Sequence, residues 1–252
     1  MSNPIALILG GGLRVGAAVA AAFTREGYSV AIVSRKGTGT KTPEGYLSFQ
    51  ADFTNPDTIP PVFEAVKKEL GGSPTVVVYN AAGFTPPPDK DSVLSVPSDR
   101  FASDLNLNTI SPYVAAQESL KGWKSLPQDA KKTFIYTGNK SNVAVLPVPL
   151  TMTLGVGKSA SAYWLGSADN VYSAQGIRRV FPSVGIVFVI MPSSNISSYR
   201  FFYADQRKED GGLAGFDLDG PAHGAFYPQL AKHGDIPWQA TFVKDKGYVK
   251  FE

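Results

Sequence analysis

Three glycines, Gly10, Gly12 and Gly16, follow directly on an apolar run at residues 5–9, and an alanine-rich stretch follows them. Glycines at such a place let the backbone approach a pyrophosphate, and the amides at the start of the next helix, around Val15, then face its negative charge. Gly27 closes the alanine-rich stretch, and a second apolar run at residues 30–33 ends at Ser34-Arg35-Lys36. Strand, glycine turn, helix, strand is a βαβ unit of the dinucleotide-binding kind. A carboxylate at the end of the second strand would hold a ribose 2′-hydroxyl. Two cations and no carboxylate favour a 2′-phosphate instead, hence NADP(H) over NAD(H), and Arg14 in the glycine turn is placed to join them. The plainer alternatives are a tight turn without a ligand and a solvated basic loop. The position of the turn directly after an N-terminal strand weighs against the first, and the third cation weighs against the second.

The elements that must position these residues alternate along the chain. Residues 46–49 read as a third strand leading to Asp52-Phe53, residues 60–70 have helical spacing, and residues 75–79 form a β-branched run that suits a buried parallel strand. That run stops at Asn80-Ala81-Ala82-Gly83, before a proline-rich loop at 84–98. Residues 100–120 read as one long helix, which Pro112 should kink or restart. Residues 133–136 are a fifth strand, a helix runs to about residue 169, and Gln239 to Val243 and Tyr248 to Phe251 close the chain as short strands or turns. The pattern is that of a single α/β domain over residues 1–252, a Rossmann-type doubly wound parallel sheet of about seven strands flanked by helices. With 252 residues, no cysteine and a formal charge of +3, the chain offers no disulfide framework and no basic stripe for nucleic acid. No stretch is apolar enough for a membrane span, nothing at the N-terminus reads as a signal, and two lone histidines make a metal site a poor reading. A cytoplasmic protein acting on a small molecule is the expectation.

The combination resembles the short-chain dehydrogenase/reductase family. In that family the fourth strand ends in Asn-x-Ala-Gly, as Asn80, Ala81, Ala82 and Gly83 do here, and an acidic residue near the end of the third strand contacts adenine, as Asp52 (beside Phe53) would. Gly10 and Gly16 match the first and last glycines of the family's glycine turn, with Leu9 and Arg14 departing from it. Asn108 resembles the family's helix asparagine, which helps to hold a water near the catalytic lysine; as a plain helix residue it would be exposed. Lys158, in Lys-Ser-Ala, matches the catalytic lysine. The resemblance also implies a homodimer or homotetramer through the helices carrying Asn108 and Lys158.

The catalytic pair of that family is Tyr-x-x-x-Lys, and here Leu154 stands for the tyrosine that protonates the carbonyl oxygen. Gly138 stands for the catalytic serine, with Thr137, Asn139 or Ser141 as partial substitutes. Tyr163 lies about 140° round the helix from Lys158 at ~3.6 residues per turn, and with Trp164 reads as packing between helices. His223 falls in the segment that covers substrate in the family and reads better as a loop or cap residue. Two candidates compete for the sixth strand, residues 185–191, followed by Pro192-Ser193, and residues 200–204. Because Arg200 joins Gly176-Ile177-Arg178 naturally when 179–199 are removed, that segment reads as an insertion, for instance a retained intron. The whole pattern looks like an atypical fungal branch lacking the tyrosine. The chemistry expected is an NADP(H)-dependent oxidoreductase acting on a small organic substrate, an iminium or conjugated compound of secondary metabolism among them. The alternatives are a non-catalytic NADP(H)-binding regulatory protein and a conventional ketoreductase with a relocated proton donor.

Overall fold

A computed structural model describes residues 3–172, 177–180, 187–190 and 199–251. Strand β1 (Ile5–Leu9) is buried throughout, as an apolar run bounded by glycine demands, and β2 (Ser29–Ser34), β3 (Leu47–Gln50), β4 (Val76–Tyr79) and β5 (Lys132–Thr137) complete one part of a sheet. Strands β6 (Ile177–Val180) and β7 (Val187–Ile190) pair antiparallel with each other in a separate two-stranded sheet. The main sheet then continues with β8 (Tyr199–Arg207), β9 (Gln239–Val243) and the short β10 (Gly247–Tyr248), in the order β10-β9-β8-β5-β4-β1-β2-β3. Seven of these strands are parallel; β10 adds an eighth, antiparallel, at the edge. The place beside β5 therefore belongs to the 200–204 candidate and not to 185–191. Residues 185, 186 and 191, Pro192-Ser193, and most of the segment 179–199 read as an insertion lie outside the described residues.

Helices cover both faces. On one lie α1 (Val15–Arg25) and α6 (Gly220–Ala231), packed against each other; on the other lie α2 (Ile59–Leu70), α4 (Ser111–Trp123) and α5 (Met152–Tyr172). Alternate strand residues feed the two cores. Phe201 and Tyr203 face α5, while Phe202 and Ala204 face α6. Helix α6 starts at Asp219, whose carboxylate accepts the Ala222 amide at 2.8 Å, a side-chain cap with a proline in the first turn.

The expected single helix over 100–120 is a correction. The chain forms α3 (Ser98–Leu105), a π-helical turn (Asn106–Ile110), and then α4. Pro112 is the cause. It has no N–H to give to the Asn108 carbonyl four residues back, and the Ser111 amide reaches five back to Asn106. The carbonyls of Leu107 and Asn108 are released from the helix ladder and must find partners elsewhere.

Candidate active site

Gly10 adopts φ 107°, and a Cβ there would stand 2.5 Å from the Ala81 nitrogen. The Gly10 and Gly11 amides both donate to Val33 O at 2.9 Å, and Asn80 Nδ2 donates to Gly10 O at 2.9 Å. A Cβ on Gly16 would stand 2.5 Å from that same Gly10 O, so strand end, turn and helix start are in backbone contact. Val15 is buried at the first position of α1, whereas Gly12 is exposed with no atom within 4 Å of where a Cβ would be. The turn is tight on its inner side and open at Gly12, a backbone cradle at a helix start. The third and fourth strand ends meet the same edge. Asp52 Oδ1 accepts the Thr54 amide at 3.0 Å and its hydroxyl at 2.9 Å, and Phe53 is buried with its carbonyl accepting Ser111 Oγ at 2.7 Å. At the end of β2, Ser34 Oγ accepts the Lys36 amide at 3.2 Å, and Arg35 and Lys36 are exposed. Arg14 stands where α1 meets α6: a Cβ on Gly220 would lie 2.5 Å from Arg14 O.

Asn108, expected on an exposed face if it were an ordinary helix residue, is fully buried. Its Nδ2 donates to Gly83 O at 2.7 Å and to Asp104 O at 2.8 Å, and its Oδ1 accepts the Gly83 amide at 3.3 Å. This clamps the Asn80–Gly83 segment to the π turn. The two released carbonyls are taken by phenols: Tyr79 donates to Leu107 O at 2.6 Å, and Tyr136 to Asn108 O at 2.8 Å, which also accepts Ser161 Oγ at 2.7 Å. Tyr79, Tyr136 and Tyr203 occupy matching register positions on β4, β5 and β8. Their rings stack in succession, at 5.9 Å and 7° and then at 5.6 Å and 25°. Burial pushes all three phenols up, so each stays protonated.

Lys158 reaches this ladder from α5. It is 4% exposed; Nζ donates to Thr137 O at 2.5 Å and lies 4.3 Å from the centre of the Tyr136 ring. Burial lowers its pKa to about 7, against the raising effect of the Asp205 carboxylate. Asp205 is itself buried and bonded to Arg207 Nε at 2.5 Å. Burial raises its pKa to about 6, with Arg207 and then Lys158 opposing. Leu154, half-buried, offers no proton. Gly138 has no side chain, and one would overlap the Tyr203 ring. Asn139 Oδ1 accepts the Ser141 amide at 3.0 Å, and Thr137 Oγ1 shares a hydrogen bond with Tyr227 at 2.8 Å on the other face.

Tyr163 is a correction. It is 81% exposed rather than packed; of the two, Trp164 is the one that packs inward, edge-on to Tyr113 of α4 at 5.5 Å and to Phe134 of β5 at 6.0 Å. An outward tyrosine follows from its 140° offset from the buried Lys158 face. His223 is also corrected: it is buried in the first turn of α6, with Nδ1 2.6 Å from Asp219 O, and burial lowers its pKa. Sequence reasoning missed the tyrosine ladder, Asp104, Asp205 and Arg207. The ladder had a signal, since each of the three strand runs (VVVY, FIY, FFY) carries a tyrosine near its C-terminal end. Asp104 joins the loop after β4 to α5, accepting the Thr85 amide at 2.6 Å and Thr153 Oγ1 at 2.7 Å; nothing in its spacing marked that.

A family model described as Enoyl-(Acyl carrier protein) reductase matches residues 14–141. The chain is 37% identical over 265 residues to the short chain dehydrogenase/reductase dmxR12 of Cryptosporiopsis sp. (strain 8999), covering 100% of this chain and 96% of that protein. The chain belongs to the short-chain dehydrogenase/reductase family. It is also 25% identical over 211 residues to the 3-oxoacyl-(acyl-carrier-protein) reductase MabA of Mycobacterium avium, covering 82% of this chain and 72% of that one. Among solved structures, the NADPH-dependent 3-quinuclidinone reductase from Rhodotorula rubra shares the fold at TM-score 0.69, with 19% identity over 98% of this chain and 92% of that chain. A short-chain dehydrogenase/reductase from Serratia marcescens does so at TM-score 0.66, with 17% identity over 96% and 95%. Membership makes this chain an oxidoreductase of that family with a nicotinamide cofactor.

Proposed function

We propose that the chain is an NADP(H)-dependent reductase of a small organic substrate that accepts hydride without needing a proton at oxygen: an iminium or an activated, conjugated compound. The observation that carries this reading is an intact cradle beside a site with Gly138 and Leu154 at the places of the family's serine and tyrosine. The cradle fits the cofactor. Gly10, Gly12 and Val15 would hold the pyrophosphate at the start of α1, with Arg14 beside it on the α6 side; Asp52 and Phe53 would flank adenine, and Asn80 to Gly83 the neighbouring ribose. Ser34, Arg35 and Lys36, exposed where β2 ends, would take the 2′-phosphate. When bound, the cofactor supplies hydride from its nicotinamide.

The chain's own residues leave little for protonation. Leu154 cannot donate, Gly138 has no hydroxyl, and the nearby Tyr136 and Tyr203 phenols are committed to Asn108 O and Asn139 O. Both lone pairs of the Asn108 carbonyl are taken, by Tyr136 and Ser161, which leaves that oxygen nothing to offer a water beside Lys158. Lys158 orients the site through Thr137, and Asn108 locks Gly83 in place. A missing general acid costs ~10²–10⁴-fold in rate and a missing oxyanion donor ~10²–10³-fold, penalties that fall on ketones and spare an acceptor already positively charged. Tyr163, exposed on the outer surface of α5, is no relocated donor; Tyr163→Phe should leave turnover unchanged. It fits better in a contact between copies of the chain through α4 and α5, which also expose Tyr113 and Val156.

The test follows loss of reduced-nicotinamide absorbance with NADPH against panels of iminiums, enones and ketones. Turnover confined to the first two classes is expected. Tight NADPH binding with no consumption of any acceptor overturns the reductase reading and leaves an NADP(H)-binding protein without turnover.

A further inference from the structure

The place assigned to the catalytic serine is filled from the neighbouring strand. Tyr203 lies on β8 in register with Tyr136 on β5, and its ring leans across the end of β5. A Cβ added to Gly138 would overlap ring carbons Cε1, Cδ1 and Cζ of Tyr203. The ring has no room to retreat. It is fully buried, it stacks on Tyr136 at 5.6 Å, and Lys158 Nζ covers the Tyr136 ring in turn. Its hydroxyl is held by the residue next to Gly138, accepting the Asn139 amide at 3.0 Å and donating to Asn139 O at 2.8 Å.

We propose that Tyr203 is the specificity-determining residue of this site: its ring takes the volume that a serine side chain at 138 would need, so Tyr203 imposes glycine there and closes the place where a carbonyl oxygen would find its donor. This inference rests on the reading of Gly138 and Leu154 as the serine and tyrosine places. Loss of the serine is then a consequence of packing on the next strand and not an isolated change. The Tyr203 hydroxyl does not stand in for it, because its one proton goes to Asn139 O. What remains at this point of the site is backbone and apolar ring carbon, with no hydroxyl to donate to a developing alkoxide.

Gly138→Ala adds only the Cβ, and is expected to raise the unfolding equilibrium constant about ten- to a hundredfold, the usual range for overpacking a core. In a Tyr203→Val background, which removes the ring, the same Gly138→Ala step should cost little, while in a Tyr203→Phe background, which keeps the ring and drops the hydroxyl, it should cost as much as in the native chain, each pair being compared with its own Tyr203 single variant. If Gly138→Ala does not fold alone, the Gly138→Ala/Tyr203→Val pair should be as stable as Tyr203→Val alone, and a pair that is unfolded where Tyr203→Val is folded overturns the proposal. Unchanged stability of Gly138→Ala, or relief by Tyr203→Phe equal to that by Tyr203→Val, overturns it as well. The functional arm uses cyclohexanone and NADPH. Adding Tyr203→Val to Gly138→Ser/Leu154→Tyr should raise kcat/KM by about tenfold or more. No gain, with the stability coupling intact, overturns the specificity role and places the fault in the assignment of 138 and 154 rather than in the packing.

Discussion

Lys158 is a buried ammonium held by one carbonyl, one aromatic face and a distant carboxylate, and its titration should be visible in the stability of the whole protein. Burial lowers its pKa from the ordinary 10.5 to about 7. Between those two values the unfolded chain binds a proton that the folded chain does not, so stability rises with pH across that window. Urea midpoints measured from pH 7 to 10 should increase, and Lys158→Met should flatten the rise; parallel curves for the two proteins would show that Lys158 is not desolvated. At the far end of the cradle, Arg35→Asp should weaken NADPH binding at least about tenfold more than NADH binding, since it replaces an attractive charge by a repulsive one at the 2′-phosphate. Isothermal titration of both cofactors decides this; equal losses would place Arg35 outside the phosphate site.

The π turn is the element on which the site hangs, and it explains why two of the three ladder strands, β4 and β5, carry a tyrosine. Pro112 frees two carbonyls, and the Tyr79 and Tyr136 phenols satisfy them. The two should not weigh equally. Without Tyr136, Asn108 O still accepts Ser161 Oγ, whereas without Tyr79 the half-buried Leu107 O loses its phenol partner. Tyr136→Phe should therefore cost about 1 kcal/mol and Tyr79→Phe about 1–3 kcal/mol, read from denaturant melts; the reverse order would contradict this account of the turn. The strand–turn–helix unit around Gly10, the Asn80–Gly83 segment and the position of Lys158 were legible because local spacing encodes them. Pro112 announced a break, yet its product, two orphan carbonyls served by strands β4 and β5, depends on residues about thirty positions distant and could not be read. Tyr163 was misplaced for a related reason: helical spacing gives an angle, but only the packed neighbours say which side of the helix is covered.

The molecule as a whole keeps seven parallel strands in the order expected of a doubly wound sheet, and the extra β6–β7 pair makes no strand pairing with it among the described residues. We propose that residues 179–199 form an insertion ahead of β8. A chain lacking 179–199 should fold with the same circular dichroism and an NADPH affinity within about threefold of the full chain; failure to fold would make the segment integral. The buried Asp205 and Arg207 on β8 had no motif to reveal them, since β5 and β8 are brought together by the sheet and not by sequence. The central claim, hydride transfer without a proton donor at oxygen, is tested most directly by following NADPH oxidation with a cyclic iminium and its matched cyclic ketone. Consumption with the iminium at a rate at least about a hundredfold above that with the ketone is predicted; comparable rates, or none with either acceptor, would contradict the account.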